Sequence, residues 1–143
     1  MEVQFRALVP HAVLPRRARE GDAGLDLAAA EEADVEPGAR VMVRTGLAVA
    51  IPDGHAGLVL PRSGLASRRG LTLANAPGLI DAGYRGEVVC AMVNLDPSDA
   101  VHVGVGDRIA QLVIVAVPSA DPVWAEELPG SERGEGGFGS TGS

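Results

Sequence analysis

Residues 40–61 read RVMVRTGLAVAIPDGHAGLVLP. Val41 and Val43 alternate with more variable neighbours, and Leu47, Val49 and Ile51 resume the alternation beyond Thr45-Gly46. A period of two sends successive side chains to opposite faces of a strand, so β structure is expected on both sides of that dipeptide. Pro52-Asp53-Gly54 supplies a turn, and Gly57–Leu60 is a short apolar run that stops at Pro61.

The same punctuation recurs outward. Val3, Phe5, Ala7 and Val9 alternate near the start. Glu87–Leu95 and Arg108–Val117 are apolar on both faces, which predicts strands covered on both sides. Turn signals separate these runs at Glu36-Pro37-Gly38, Ala76-Pro77-Gly78, Asp96-Pro97 and Val105-Gly106-Asp107. Short, closely spaced strands with such turns describe an all-β sandwich or barrel. One segment departs from the pattern. Ser63–Gly70 offers an N-cap serine, helix formers and a terminating glycine, which predicts one helix of about two turns. The end, Ser131–Ser143, is mostly Gly and Ser and has only Arg133 and Phe138 as large side chains. It buries too little surface to order itself. The expected organisation is one folded domain, residues 1–130, followed by a flexible arm, residues 131–143.

Composition bounds the function. A chain of 143 residues favours a single domain. No apolar run reaches the ~18–20 residues that cross a bilayer. The opening MEVQFRALVP lacks the basic-then-apolar order of a signal peptide, so an intracellular, cytoplasmic protein without membrane association is expected. The net charge of −7 argues against a nucleic-acid partner, which would need a basic face. It does not exclude a small anion held by local arginines. All 12 basic residues are arginine, the side chain suited to bidentate contact with phosphate, although a GC-rich genome that favours Arg and Ala codons is the simpler account of the bias. The single cysteine, Cys90, excludes an intrachain disulfide and a cysteine-based zinc site; its apolar neighbours predict a buried, inert thiol.

Five blocks carry candidate chemistry. Pro61-Arg62-Ser63-Gly64 places free backbone N–H groups and a guanidinium at a helix start, a design for an anion; the plainer alternative is an ordinary capped helix. In NAPGLIDAGYRGE, from Asn75 to Glu87, two glycine turns set Leu79-Ile80-Asp81 on a hairpin with accessible backbone. A carboxylate there can orient and deprotonate water, and Tyr84 can pack against a ring; a solvated Asp beside a core Tyr is the competing account. Asp22 and Asp26 in DAGLDL can reach Mg²⁺ directly or through its waters, or simply shape a turn. In GDRIAQL, Asp107 and Arg108 form a local ion pair on the simplest reading, and Gln111 is a polar residue in an apolar run that needs a partner. The tail RGEGGFGSTG combines glycine hinges with Arg133 for phosphate and Phe138 for stacking; a solvated terminus is the alternative. His11, His55 and His102 lack metal-ligand spacing, and Trp124 is expected to anchor the C-terminal arm by burial.

Together and in this order, the five blocks resemble the homotrimeric deoxyuridine triphosphate nucleotidohydrolases (dUTPases), from Asp22 to Gly142. The resemblance implies a distorted jelly-roll whose three subunits share three active sites. It implies the hydrolysis of dUTP to dUMP and pyrophosphate, assisted by Mg²⁺, which limits uracil incorporation into DNA and supplies dUMP for thymidylate synthesis. By the same resemblance Arg62, Ser63, Gly64 and Gln111 hold the phosphates. Asn75 and the backbone of Leu79, Ile80 and Val89 read uracil. Tyr84 packs under the deoxyribose, and Asp81 activates the water that attacks the α-phosphorus. Asp26 reaches the metal through its water shell. Arg133 acts as a finger on the γ-phosphate, Phe138 stacks on uracil and the adjoining Gly139 contacts the substrate. Two competing readings share parts of the pattern. A deoxycytidine triphosphate deaminase has a related fold, but the intact DAGYRGE and the stacking tail oppose it. A nucleotide-binding regulator would bind dUTP without releasing pyrophosphate.

Overall fold

The computed structural model describes residues 1–137. Ten strands and one helix follow in the order β1 (Gln4–Ala7), β2 (Leu25–Ala28), β3 (Ala33–Val35), β4 (Arg40–Ala50), β5 (His55–Pro61), α1 (Ser63–Arg69), β6 (Leu71–Leu73), β7 (Gly78–Ile80), β8 (Glu87–Asn94), β9 (Val101–Val103) and β10 (Arg108–Ala116). They form an antiparallel sheet β1-β4-β8-β6, a second antiparallel sheet β2-β10-β5-β7 and a β3-β9 ribbon. Leu27, Val59, Ile109 and Leu112 of the second sheet meet Val43, Val49, Cys90 and Met92 of the first in one continuous core, the layered arrangement of a distorted jelly-roll.

β4 is a single strand of 11 residues, not two runs. Its register against β8 moves from Arg44↔Val89 to Ala48↔Glu87, so three residues of β4 oppose Val88 alone. Gly46 makes this bulge possible: its φ is +67°, and a Cβ there would lie 3.2 Å from that of Ala30. Thr45, buried, donates to Val88 O at 2.6 Å across the gap.

Three expectations need correction. β8 is not covered on both faces: Val88, Cys90, Met92 and Asn94 are buried, and the residues between them are half-buried. Ser63 is not the N-cap of α1; Arg62 occupies that position and makes no side-chain capping bond, because a guanidinium has no acceptor for backbone N–H groups, and it bonds Asp26 instead. Gly70 does end the helix, with φ at 65° and its N–H on Ala66 O. Trp124 is not buried but fully exposed, because the chain leaves the body before reaching it. Val117 N donates to Gly54 O at 2.8 Å, and residues 118–135 are all exposed.

The buried Asn94 joins β8 to its surroundings by donating to Val35 O and Asp99 O and accepting from Asp96 N, so no polar atom is stranded. Among the described residues no helix is long and apolar enough to cross a membrane. Burial pushes the Cys90 thiol up to about 12. At pH 8 only about one thiol in ten thousand is then ionised. Native protein is therefore expected to resist maleimide for hours and to label within minutes in denaturant; equal labelling in both conditions would show that Cys90 is accessible.

Candidate active site

The candidate residues gather at two clefts. The first, of about 170 Å³, lies between β7 and β8 and is lined by Asn75, Gly78, Leu79, Ile80, Asp81, Tyr84 and Val89 among others. The expected hairpin is absent: β7 pairs with β5, while β8 pairs with β4 and β6. The segment from Ile80 to Glu87 crosses from one sheet to the other, so the two strands diverge and leave a slot. β8 meets β6 only from Met92 to Asn94, and Ala91 O accepts from Ala74 N. Among the described residues, no strand pairs with the first half of β8 on the β6 side or with the second edge of β7, and both line the slot. Such an edge can read a flat polar ring as it would read a neighbouring strand.

Asp81 and Tyr84 are exposed near the slot's mouth, joined by the bond from Tyr84 N to Asp81 O at 3.0 Å. The Tyr84 hydroxyl donates to Glu87 O at 2.9 Å. Arg85 donates back to Ala82 O and Tyr84 O, which closes the loop that carries Asp81.

The second cleft, of about 760 Å³, is lined by Arg62, Ser63, Gly64, Arg68, Arg69, Asp26 and Gln111 among others. Asp26 Oδ1 accepts from Arg62 Nε at 3.1 Å and its Oδ2 from Arg108 Nη1 at 3.0 Å. Its side chain is only 14% exposed, so the pairing offsets the cost of burying the carboxylate. The local Asp107–Arg108 pair is therefore not formed; Asp107 instead accepts from Gly104 N. Gln111 finds its partner in the backbone, donating to Pro61 O at 3.0 Å. Gly24 leaves room for it, since a Cβ there would lie 3.1 Å from Gln111 Cδ. Asp22 is a turn residue that accepts from Arg19 N.

The clefts share no residue. Val59 of β5 lines the first and its neighbour Leu60 the second, so the pleat of one strand puts them on opposite faces of one sheet. Arg133 lines neither; it donates to Gly136 O within its own turn. Phe138 and Gly139 lie outside the described residues. Sequence reasoning missed Arg108 as a partner of Asp26 and the helical Arg68 and Arg69. The strand pairing of Gln111 with Asp26 is the signal that links their segments, and it is not visible before the register is known.

A slot edged by free peptide groups and a pocket rich in arginine describe a small all-β protein of the nucleotide-binding class. The family model for dUTPase matches residues 11–142. The deoxyuridine 5'-triphosphate nucleotidohydrolase of Thermobifida fusca is 55% identical over 142 residues, covering 99% of this chain and 79% of that protein. The dUTPase of Staphylococcus bacteriophage 80alpha, solved with dUpNHpp, matches with a TM-score of 0.91 at 32% identity over 99% of both chains. An aspartate-to-asparagine variant of the dUTPase from phage phi11 of S. aureus, solved with a structural Mg(II) ion, matches with a TM-score of 0.81 at 32% identity, covering 89% of this chain and 98% of that one. The chain belongs to the dUTPase family.

Removing the Asp26 carboxylate leaves two guanidinium groups without their partner. Asp26→Ala is expected to lower stability by about 2 kcal/mol in denaturant titration, and Asp26→Asn by less, because its amide oxygen still accepts. An unchanged midpoint for Asp26→Ala would show that the pairing contributes nothing.

Proposed function

We propose that the protein hydrolyses dUTP to dUMP and pyrophosphate as a homotrimer in the cytoplasm, limiting uracil incorporation into DNA and supplying dUMP for thymidylate synthesis. Residues 1–130 act as the jelly-roll body and 131–143 as an arm. Family membership over residues 11–142 supports the reaction. The observation that carries the assembly is the separation of the two clefts on opposite faces of one sheet. A single nucleotide spans base, sugar and three phosphates continuously, so the slot of one chain needs the arginine pocket of another. The arm reaches a neighbouring chain's site.

In the slot, the free peptide groups of Leu79, Ile80 and Val89 and the amide of Asn75 meet the polar edge of uracil. The narrow walls exclude the 5-methyl group of thymine. The Tyr84 ring lies under C2′ and clashes with a ribose hydroxyl. Asp81 accepts a proton from a water whose oxygen forms a bond to the α-phosphorus; the bond to the bridging oxygen breaks, and pyrophosphate leaves. Arg62, Ser63, Gly64 and Gln111 hold the phosphates from the second cleft. Arg133 neutralises the γ-phosphate, Phe138 stacks on the base and Gly139 adds a contact as the arm closes.

No group of three or more His, Cys, Asp or Glu side chains able to hold a metal occurs among the described residues. That fits Mg²⁺ held mainly by phosphates and water, with Asp26 reaching its water shell through the lone pairs its arginines leave free. When bound, the ion neutralises charge on the phosphates as pyrophosphate departs.

Pyrophosphate release measured side by side with dUTP, dTTP, dCTP and UTP in the presence of Mg²⁺ tests the reading. Release from dUTP in large preference is expected. Ammonia from dCTP, or dUTP binding without pyrophosphate, would overturn it. Asp81→Asn should lower turnover by about 10³-fold and leave dUTP affinity within a few-fold, by calorimetry; near-normal turnover would exclude Asp81 as the base. Truncation before Arg133 should cost about 10³-fold in kcat while sedimentation still reports a trimer. Loss of the trimer on truncation would make the arm structural.

A further inference from the structure

Tyr84 is 45% exposed and so owes its position to few contacts. Two of them are specific. Its hydroxyl donates to Glu87 O at 2.9 Å. Its ring lies against Gly86, where a Cβ would fall 2.6 Å from Tyr84 Cζ, closer than real atoms pack. Gly86 is not among the glycines with positive φ, so a Cβ there would meet the ring and displace it rather than strain the backbone.

Glu87 is in turn the most heavily engaged carboxylate near the slot. It sits opposite the bulge in β4, where the ladder to β8 is interrupted. Its Oε1 accepts from Gly46 N at 2.8 Å, inside the bulge, and its Oε2 from Arg44 Nε at 3.0 Å. The Glu87 side chain is 18% exposed, and of these two bonds the one from Gly46 N is the better shielded, since the Arg44 side chain is half exposed. Thr45 adds a bond to Val88 O on the adjoining peptide. The side chain of Glu87 therefore pins the peptide whose carbonyl holds the Tyr84 hydroxyl.

We propose that Gly86 and Glu87 are positioning residues for sugar discrimination. Glu87 locks the Tyr84 phenol to the β4 bulge, and Gly86 leaves the space the ring occupies. Glu87 lines the slot beside Tyr84, and both Gly86 and Glu87 act through the Tyr84 ring. The inference rests on the reading that Tyr84 packs under the sugar.

The test is the ratio of kcat/KM for dUTP to that for UTP, measured on full-length protein carrying Tyr84→Ala, Glu87→Ala, Glu87→Gln, Gly86→Ala or both Tyr84→Ala and Glu87→Ala. Tyr84→Ala should lower the ratio by about tenfold or more, and Glu87→Ala and Gly86→Ala by about tenfold. Glu87→Gln, whose amide oxygen still accepts from Gly46 N, should lower it less. In the double variant the ratio should equal that of Tyr84→Ala alone. A merely structural role would reduce thermal stability or the active fraction and leave the ratio untouched. If Tyr84→Ala lowers the ratio while Glu87→Ala and Gly86→Ala stay within twofold of the parent, the inference falls and the role of Tyr84 stands. If Tyr84→Ala leaves the ratio unchanged, that role falls, and the inference with it. Should Glu87→Ala not fold, Glu87→Gln and Gly86→Ala decide by the same ratio.

Discussion

A β-strand has two hydrogen-bonding edges, and β7 uses one of them. Its pairing with β5 fixes the strand in the second sheet, and its other edge has no strand beside it among the described residues. Buried or half-buried peptide groups need partners, so an edge left open inside a cleft invites a polar guest. β8 supplies the facing half of the slot by the same means, because β6 reaches only its last three residues. Everything else near the slot serves to keep the two edges apart. The loop from Asp81 to Gly86 bridges the sheets, and Arg85 and Tyr84 close it with bonds to Ala82 O and Glu87 O.

The opposite face of the same sheet solves a different problem. A chain with net charge −7 repels a triphosphate at long range, yet it presents Arg62, Arg68 and Arg69 to one cleft. Asp26 offsets one of these charges, that of Arg62. Its carboxylate sits between Arg62 and Arg108, so two guanidinium groups are held in place before any ligand arrives. Planar donors suit this sharing, since each guanidinium keeps N–H groups free for phosphate after bonding a carboxylate.

Much of the architecture was legible in the residues. The period of two, the proline and glycine turns, the single short helix and its end at Gly70 all follow from local chemistry. What failed to show was long-range. Ser63 has the right side chain for a cap, but the helix begins at Ser63 itself, with Arg62 extended before it and bonded to Asp26, 36 positions away in sequence. Leu79-Ile80-Asp81 sits between two glycine turns, which suggests a hairpin, yet which sheet a strand joins is decided by partners elsewhere. Arg108 follows Asp107 directly and so suggested a local pair; the bulge between Arg108 and Ala110 alters the register on which its real partner depends. The block order singled out candidate residues that line the two clefts, while their division between two faces became visible only with the register of β5.

That division bears on the C-terminal segment. Val123, Trp124 and Leu128 are each more than four-fifths exposed, though large apolar side chains of this kind are normally covered. Among the described residues, the last backbone bond between this end and the body is Val117 N to Gly54 O, well before them. In the proposed trimer one arrangement meets both needs. A segment that crosses to a neighbour covers its own apolar side chains there and carries Arg133 toward a site that its own chain cannot complete. An arm of this design can release product without disturbing the sheets, because no ladder bond of the body runs through it. On that proposal the rigid parts would hold base and phosphate, and the part that opens and closes would stay outside the fold.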